Sequence, residues 1–196
     1  MPAEIEAKFL NIDRDDLRVR LRAAGYDCVQ PDYLMRRVVF DLPGDDRAAW
    51  ARVRDEGGRI AVTYKCTHDI TRIDGTEEIE ITVDHFDNAV ALLEAFGLVR
   101  KSYQETRREI WEKGDVEVVL DEWPAISPFI EIEAPDETAV RAAAAELGFD
   151  WGAAKFGAVG VVYETVGISH GAINACPRIT FDNVDDVLAL RQSQKI

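Results

Sequence analysis

Apolar and polar side chains alternate with period two along much of this chain. In residues 4–9, EIEAKF, the side chains of Glu4, Glu6 and Lys8 fall on one side and Ile5, Ala7 and Phe9 on the other. The same alternation, or a β-branched and aromatic run, marks MRRVVFDL, WARVRDE, RIAVTYKC, EEIEITVD, TRREIWEK, VEVVLDE and FIEIEA. Successive side chains of a strand point to opposite faces, so each segment reads as a strand with two unlike faces. The stretches LPGDD, DEGGR, EKGDV and EWPAISP supply the turns between them.

In three segments the apolar spacing changes to three and four, which predicts helices over 13–24, 88–96 and 137–147. Asp13, Asp87 and Asp136 stand at their starts, and Gly25, Gly97 and Gly148 follow their ends. Each has one apolar stripe: Leu17, Leu21 and Ala24; Val90, Leu93 and Phe96; Val140, Ala144 and Leu147. Beyond Tyr163 the period is lost, apart from VDDVLALRQSQKI, which reads as a final short helix. This tail is expected to cap the domain or mediate pairing.

Length and charge narrow the function classes. At 196 residues, 47% of them apolar, the chain is long enough for one domain with a packed core. No apolar run approaches the roughly 20 residues of a membrane helix. The N-terminus shows no basic-then-apolar leader pattern, so the cytoplasm is the expected location. The 37 acidic and 23 basic side chains leave a net charge of −14. Such a surface repels nucleic-acid backbones and anionic membranes, which disfavours both as partners. Cys28, Cys66 and Cys176 are odd in number and far apart, which excludes a fully paired disulfide framework within the chain. His68, His85 and His170 are equally scattered and are expected at the surface or in loops.

The polar strand faces carry an unusual composition. Glu78, Glu80, Glu131 and Glu133 give carboxylate faces, whereas Arg52 and Arg54 give a guanidinium face and Lys65 ends another strand. An antiparallel sheet with one solvated face would explain alternation alone. If the three helices cover the apolar faces, however, the charged faces turn toward one another. The expected fold is α+β: a closed eight-stranded antiparallel β-barrel with a polar, charged lumen and helices packed outside. Charges lining a lumen must be paired, hydrated or ligand-bound. Carboxylates suit hard cations such as Mg2+ or Mn2+, and arginine with lysine suits phosphate oxygens. Together they describe a metal–polyphosphate site.

The ordered set Glu-x-Glu-x-Lys, Arg-x-Arg, a strand ending in Lys, Glu-x-Glu, an Arg-bearing strand, Asp and a final Glu-x-Glu resembles the CYTH superfamily. These are the triphosphate tunnel metalloenzymes, among them class IV adenylyl cyclases and thiamine or inorganic triphosphatases. The resemblance spans about residues 3–164 and implies a tunnel domain over 1–166, with 167–196 as a tail of the same domain. It implies metal binding by Glu4, Glu6, Glu78, Glu80, Asp121, Glu131 and Glu133. It implies triphosphate binding by Lys8, Arg52, Arg54, Lys65, Arg108 and Lys155, with Arg52, Arg54 and Lys65 also serving catalysis. Arg107 is the alternative to Arg108 under a one-residue slip. The chain departs from the family pattern at Val39, Ala51 and Thr106, the last standing where a lysine is common.

The implied function is divalent-metal-dependent hydrolysis of tripolyphosphate or a triphosphorylated small molecule such as thiamine triphosphate. The alternatives are class IV-type cyclisation of ATP to cyclic AMP and pyrophosphate, and a non-catalytic polyphosphate- or nucleotide-binding module. A homodimer is the default expectation for assembly.

Overall fold

The computed structural model describes residues 3–42, 49–69 and 71–191, with Ala3 and Glu4 described in their backbone alone. The protein is α+β. Its strands are β1 (Ala3–Glu4), β2 (Glu6–Phe9), β3 (Asp27–Asp41), β4 (Ala49–Asp55), β5 (Ile60–Thr67), β6 (Thr76–Val83), β7 (Val99–Lys113), β8 (Val116–Glu122), β9 (Phe129–Glu133) and β10 (Arg178–Ile179). The sheet order is β1-β6-β5-β4-β3-β7-β8-β9-β2, all antiparallel, with β10 added parallel to β7. Because β1 and β2 are two pieces of one N-terminal stretch, eight antiparallel strands make up the curled, half-barrel sheet. That stretch touches both ends of the order: Glu4 pairs with Thr76 of β6, and Glu6 pairs with Glu133 of β9.

β3 and β7 are each 15 residues long and begin well before the expected MRRVVFDL and TRREIWEK segments. They pair with each other from Asp27–Glu112 to Asp41–Val99. Register shifts near Gln30 accommodate Pro31, which cannot donate to a ladder and obscures the strand in the sequence.

Three helices cover most of the apolar strand faces, while Ile79 and Ile81 of β6 stay exposed. Helix α1 (Arg14–Ala23) is capped by Asp13, which accepts from the Asp15 and Asp16 N–H groups, and α3 (Glu137–Glu146) is capped by Asp136. Their stripes meet in one core, where Leu17, Leu21, Val140, Ala144 and Leu147 pack with Ala7, Phe9, Trp111, Leu120, Ile130 and Ile132. Each fully buried aliphatic or aromatic side chain there contributes about 1.5–3 kcal/mol. A partly buried ion pair from Arg18 to Glu109, at 2.6 Å, ties α1 to β7.

Helix α2 (Phe86–Ala95) starts earlier than expected. His85 is its N-cap, without a side-chain cap bond, and Asp87 lies in the first turn. Burial of Phe86 with Ala89 and Val90 against Val38, Phe40 and Val53 sets that start. Phe96, assigned to the buried stripe by its spacing, is 71% exposed because it lies past the last helical turn.

The tail is more structured than its sequence suggests. Helices α4 (Gly160–Tyr163), α5 (His170–Asn174) and α6 (Val184–Ala189) accompany β10. Ile168, Ile173, Cys176, Ile179 and Val187 pack with Trp123, Phe129 and Tyr163 in a second core. The Tyr103 N–H donates to the Pro177 carbonyl and the Ser102 hydroxyl to the Cys176 carbonyl, each at hydrogen-bond length. All three cysteines are free thiols. No helix among the described residues is long and apolar enough to cross a membrane.

Candidate functional site

Alternation carries Ala7, Phe9, Ala51, Val53, Val118, Leu120, Ile130 and Ile132 to the helix-covered cores, and the sheet's curl gathers charged side chains of the opposite face around a cavity of about 1190 Å3. Of the residues expected at the site, Glu6, Lys8, Arg52, Arg54, Lys65, Glu78, Glu80, Arg108, Asp121, Glu131 and Glu133 all line it. The side chain of Glu4 lies outside the described residues. Lys155 is placed elsewhere: its side chain is exposed and off the cavity lining, while its backbone pairs with Lys8 in an isolated bridge.

Strand register sets opposite charges against each other. Lys8 stands opposite Glu131, Lys65 opposite Glu78, and Arg108 opposite Asp121. The Lys8 ammonium bonds Glu6 and lies 3.2 Å from Glu131. Lys65 lies 2.6 Å from Glu78, and Arg52 lies 3.9 Å from the same carboxylate. Arg54 pairs with Glu56 at 2.5 Å and with Glu80 at 3.4 Å. Arg108 holds Asp121 and reaches Glu131 at 3.1 Å. The ambiguity between the adjacent arginines resolves structurally: Arg108 faces the cavity, whereas Arg107 is outside and pairs with Asp32.

Burial and the close packing of charges shift these groups. Burial, with the nearby charges of Arg52 and Arg108, lowers the pKa of Arg54 to about 10. Burial would raise Glu131, but the charges of Lys8, Arg108 and Lys65 and the Lys8 hydrogen bond overcome it and hold the pKa at about 2. Burial likewise opposes the charge on Arg108, yet Asp121 and Glu131 outweigh it and keep the guanidinium protonated. The carboxyl of Glu117, deep in the same wall, is pushed up by its burial.

The donor set fits a hard divalent cation in its chemistry, since the acidic wall offers carboxylate oxygens from Glu6, Asp121, Glu131 and Glu133. Among the described residues no three such side chains are drawn together into a ready metal-holding group. Lys8 and Arg108 sit between them instead.

Several lining residues escaped the sequence reading: Arg37, Trp50, Lys101, Trp123, His170 and Asn174. Arg37 was accessible in principle. In MRRVVFDL it alternates with Val38 and Phe40, which are buried against α2, and therefore shares a face with Val39 and Asp41. His170 and Asn174 come from α5, whose sequence has no period to read. His68, expected at the surface, is half-exposed at the cavity wall.

A curled antiparallel sheet that faces its cations and carboxylates into one cavity defines a class of protein able to hold a multiply charged anion together with its counter-cations. The chain belongs to the CYTH domain family, whose model matches residues 2–150. A Methanocaldococcus jannaschii protein named "Putative adenylate cyclase" is 28% identical over 135 residues, spanning 66% of this chain and 75% of its own length. Among solved structures, a protein of Vibrio parahaemolyticus described as "a putative adenylate cyclase" has a TM-score of 0.68 at 15% identity, covering 83% of this chain and 98% of that one. The Hippeastrum protein HpAC1, described as a "putative adenylyl cyclase" with a dominant triphosphatase activity, has a TM-score of 0.52 at 14% identity, covering 84% of this chain and 96% of that one. These two likenesses are of fold.

Proposed function

We propose that this protein is a divalent-metal-dependent, triphosphate-processing enzyme that hydrolyses tripolyphosphate or a triphosphorylated small molecule within its cavity. The observation that carries this reading is the confinement of both charge sets to one cavity. Arg52, Arg54, Lys65, Arg108 and Lys8 share a lining with Glu6, Glu78, Glu80, Asp121, Glu131 and Glu133. Binding an anion alone would need only the cations. The joint pairing of the N-terminal stretch with β6 and β9 supports closure of the sheet into a tunnel around the substrate. Buried free thiols at Cys66 and Cys176 suit a reducing compartment such as the cytoplasm.

The guanidinium groups of Arg52, Arg54 and Arg108 grip non-bridging phosphoryl oxygens, and the ammonium groups of Lys8 and Lys65 add point charges. Phosphoryl transfer asks mainly for positioning and charge stabilisation, which a rigid strand wall provides. Glu4, Glu6, Asp121, Glu131 and Glu133, with Glu78 and Glu80 across the cavity, would hold Mg2+ or Mn2+, which supplies charge neutralisation and an oriented water. Lys8 and Arg108 bridge these carboxylates now; turning toward phosphate, they release the carboxylate oxygens.

Cyclisation of ATP is the second reading, favoured by the name of the Methanocaldococcus jannaschii relative. It would direct the ribose 3′-hydroxyl to the α-phosphorus with pyrophosphate leaving, and Trp50 offers the lining a ring on which a base could stack. The test is turnover with Mg2+ or Mn2+ on tripolyphosphate, ATP and thiamine triphosphate, scoring phosphate separately from pyrophosphate plus cyclic AMP. Phosphate without cyclic AMP supports hydrolysis, and the reverse supports cyclisation. Absence of turnover with ligand-induced thermal stabilisation would leave a binding module.

A further inference from the structure

Among the described residues, every lysine and arginine of the lining has a carboxylate at ion-pairing distance except Arg37. Arg37 is only 4% exposed. Its Nη2 donates to the Thr106 hydroxyl at 2.5 Å, and its guanidinium carbon sits 4.6 Å from the centre of the Trp123 ring. Its Nε–H has no acceptor.

Two neighbours share that condition. Arg54 stands directly opposite Arg37 across β3 and β4, and its Nε–H is also buried without an acceptor. Trp123, beneath the Arg37 guanidinium, is 5% exposed, and its indole N–H is likewise unpartnered. Three buried donors from adjacent parts of one cavity wall thus lack any acceptor. Burial and the charges of Arg52, Arg54 and Arg108 all disfavour the protonated form of Arg37. An orphaned buried donor is costly, and an uncompensated buried charge is more so. A core-filling role would be better served by methionine or leucine at this position. An anion entering the cavity relieves both costs together.

We infer that Arg37, with the indole N–H of Trp123, forms a further substrate-binding subsite that takes the non-bridging oxygens of one phosphoryl group. The inference rests on the triphosphate reading of the cavity and extends it to residues outside the family's ordered charge pattern. Arg54 links the subsite to the main set of cations, since its Nη2 faces Glu56 and Glu80 while its Nε remains for the ligand.

The experiment pairs ligand-free thermal unfolding with calorimetric titration of tripolyphosphate, as its methylene-bridged analogue that cannot be hydrolysed, into full-length protein with Mn2+ present, so that nothing turns over. Arg37→Met should unfold at a higher temperature than wild type, since it removes the uncompensated charge, yet bind tripolyphosphate at least about tenfold more weakly. Trp123→Phe keeps the ring and loses the donor, and should weaken binding by a smaller factor, about threefold. If Arg37 only fills the core, Arg37→Met will match wild type in affinity, and the inference is overturned. Should that variant fold poorly, Arg37→Gln, which can still bond Thr106, decides by the same affinity criterion. Wild-type protein that fails to bind tripolyphosphate at all would overturn the triphosphate reading itself. Tight wild-type binding that ignores Arg37 would overturn only this subsite.

Discussion

Arg108 grips Asp121 across β7 and β8 with two hydrogen bonds, Nε to Oδ1 at 2.7 Å and Nη2 to Oδ2 at 2.5 Å. Asp121 is 1% exposed, so the pair is buried and its geometry is bidentate. Removing one member leaves the other charged in a poor environment. Asp121→Ala should therefore lower unfolding free energy by about 3 kcal/mol, toward the low end for broken buried pairs because Glu131 remains beside Arg108. The double variant Arg108→Met with Asp121→Leu should recover most of that loss in urea unfolding. Both variants should lack activity, which separates what the pair does for the fold from what it does for the substrate.

Glu131 gives the acid limb of the stability profile. Its folded pKa, about 2, lies below the 4.5 of an unpaired glutamate, so the unfolded chain takes up this proton first as pH falls. Its contribution is therefore present above the unfolded value and is lost as pH falls through 4.5 toward 2. Glu131→Gln cannot titrate. The stability gap between wild type and this variant should shrink by on the order of 2 kcal/mol between about pH 6 and pH 3. A gap that stays constant over that range would mean that Lys8 and Arg108 do not hold the carboxylate charged.

Arg52 tests the phosphate-binding wall. Its Nε lies 3.3 Å from the Thr63 hydroxyl and its nearest carboxylate is 3.9 Å away, so its ties to the protein are loose. Arg52→Ala should cut turnover of the preferred triphosphate by about 100-fold or more while leaving the urea midpoint nearly unchanged. Near-wild-type turnover would count against Arg52 as a phosphate ligand.

Much of this wall can be read from period two alone. In AEIEAKF, AWARVRD and TEEIEITV the apolar partners are unambiguous, so Lys8, Arg52 and Glu78 are assigned to the polar face without knowledge of the fold. The limits are physical. Arg36 and Arg37 are adjacent and equally charged, and only burial of Val38 and Phe40 against α2 selects which one turns inward. The extra length of β3 and β7 comes from their mutual pairing through bulges around Pro31, a long-range property with no local signal. The contributions of His170, Asn174 and β10 come from elements of two to five residues, too short to show a period.

The tail's role in the core is open to measurement. Ile179, 1% exposed, sits on β10 where it pairs with Gln104 of β7 and packs in the cluster that contains Phe129 and Tyr163. Ile179→Ala should cost about 2–4 kcal/mol, with a single cooperative transition retained, if 167–196 folds as part of the same domain. A separate early transition, with the main one unmoved, would make the tail an independent appendage.

The final prediction concerns order of binding. Lys8 holds Glu6 and Glu131, and Arg108 holds Asp121 and Glu131, so the carboxylates proposed for the metal are already engaged by the cations proposed for phosphate. Each ligand alone must break these pairs and leave one partner exposed to its own kind. Bound together, metal takes the carboxylates and phosphate takes Lys8 and Arg108, so that each group keeps a partner of opposite sign. Metal and triphosphate should therefore bind with positive coupling, and by linkage the factor must be the same in both directions. With a methylene-bridged triphosphate analogue that cannot be hydrolysed, Mn2+ affinity should rise about tenfold or more, and the analogue's affinity should rise equally with Mn2+. Because free Mn2+ and the analogue also associate in solution, the measurement must correct for that complex. Lys8→Met should then shrink the coupling while raising Mn2+ affinity in the absence of analogue, since the ammonium no longer competes for Glu6 and Glu131. Unchanged Mn2+ affinity in Lys8→Met would place the metal away from this pair of glutamates.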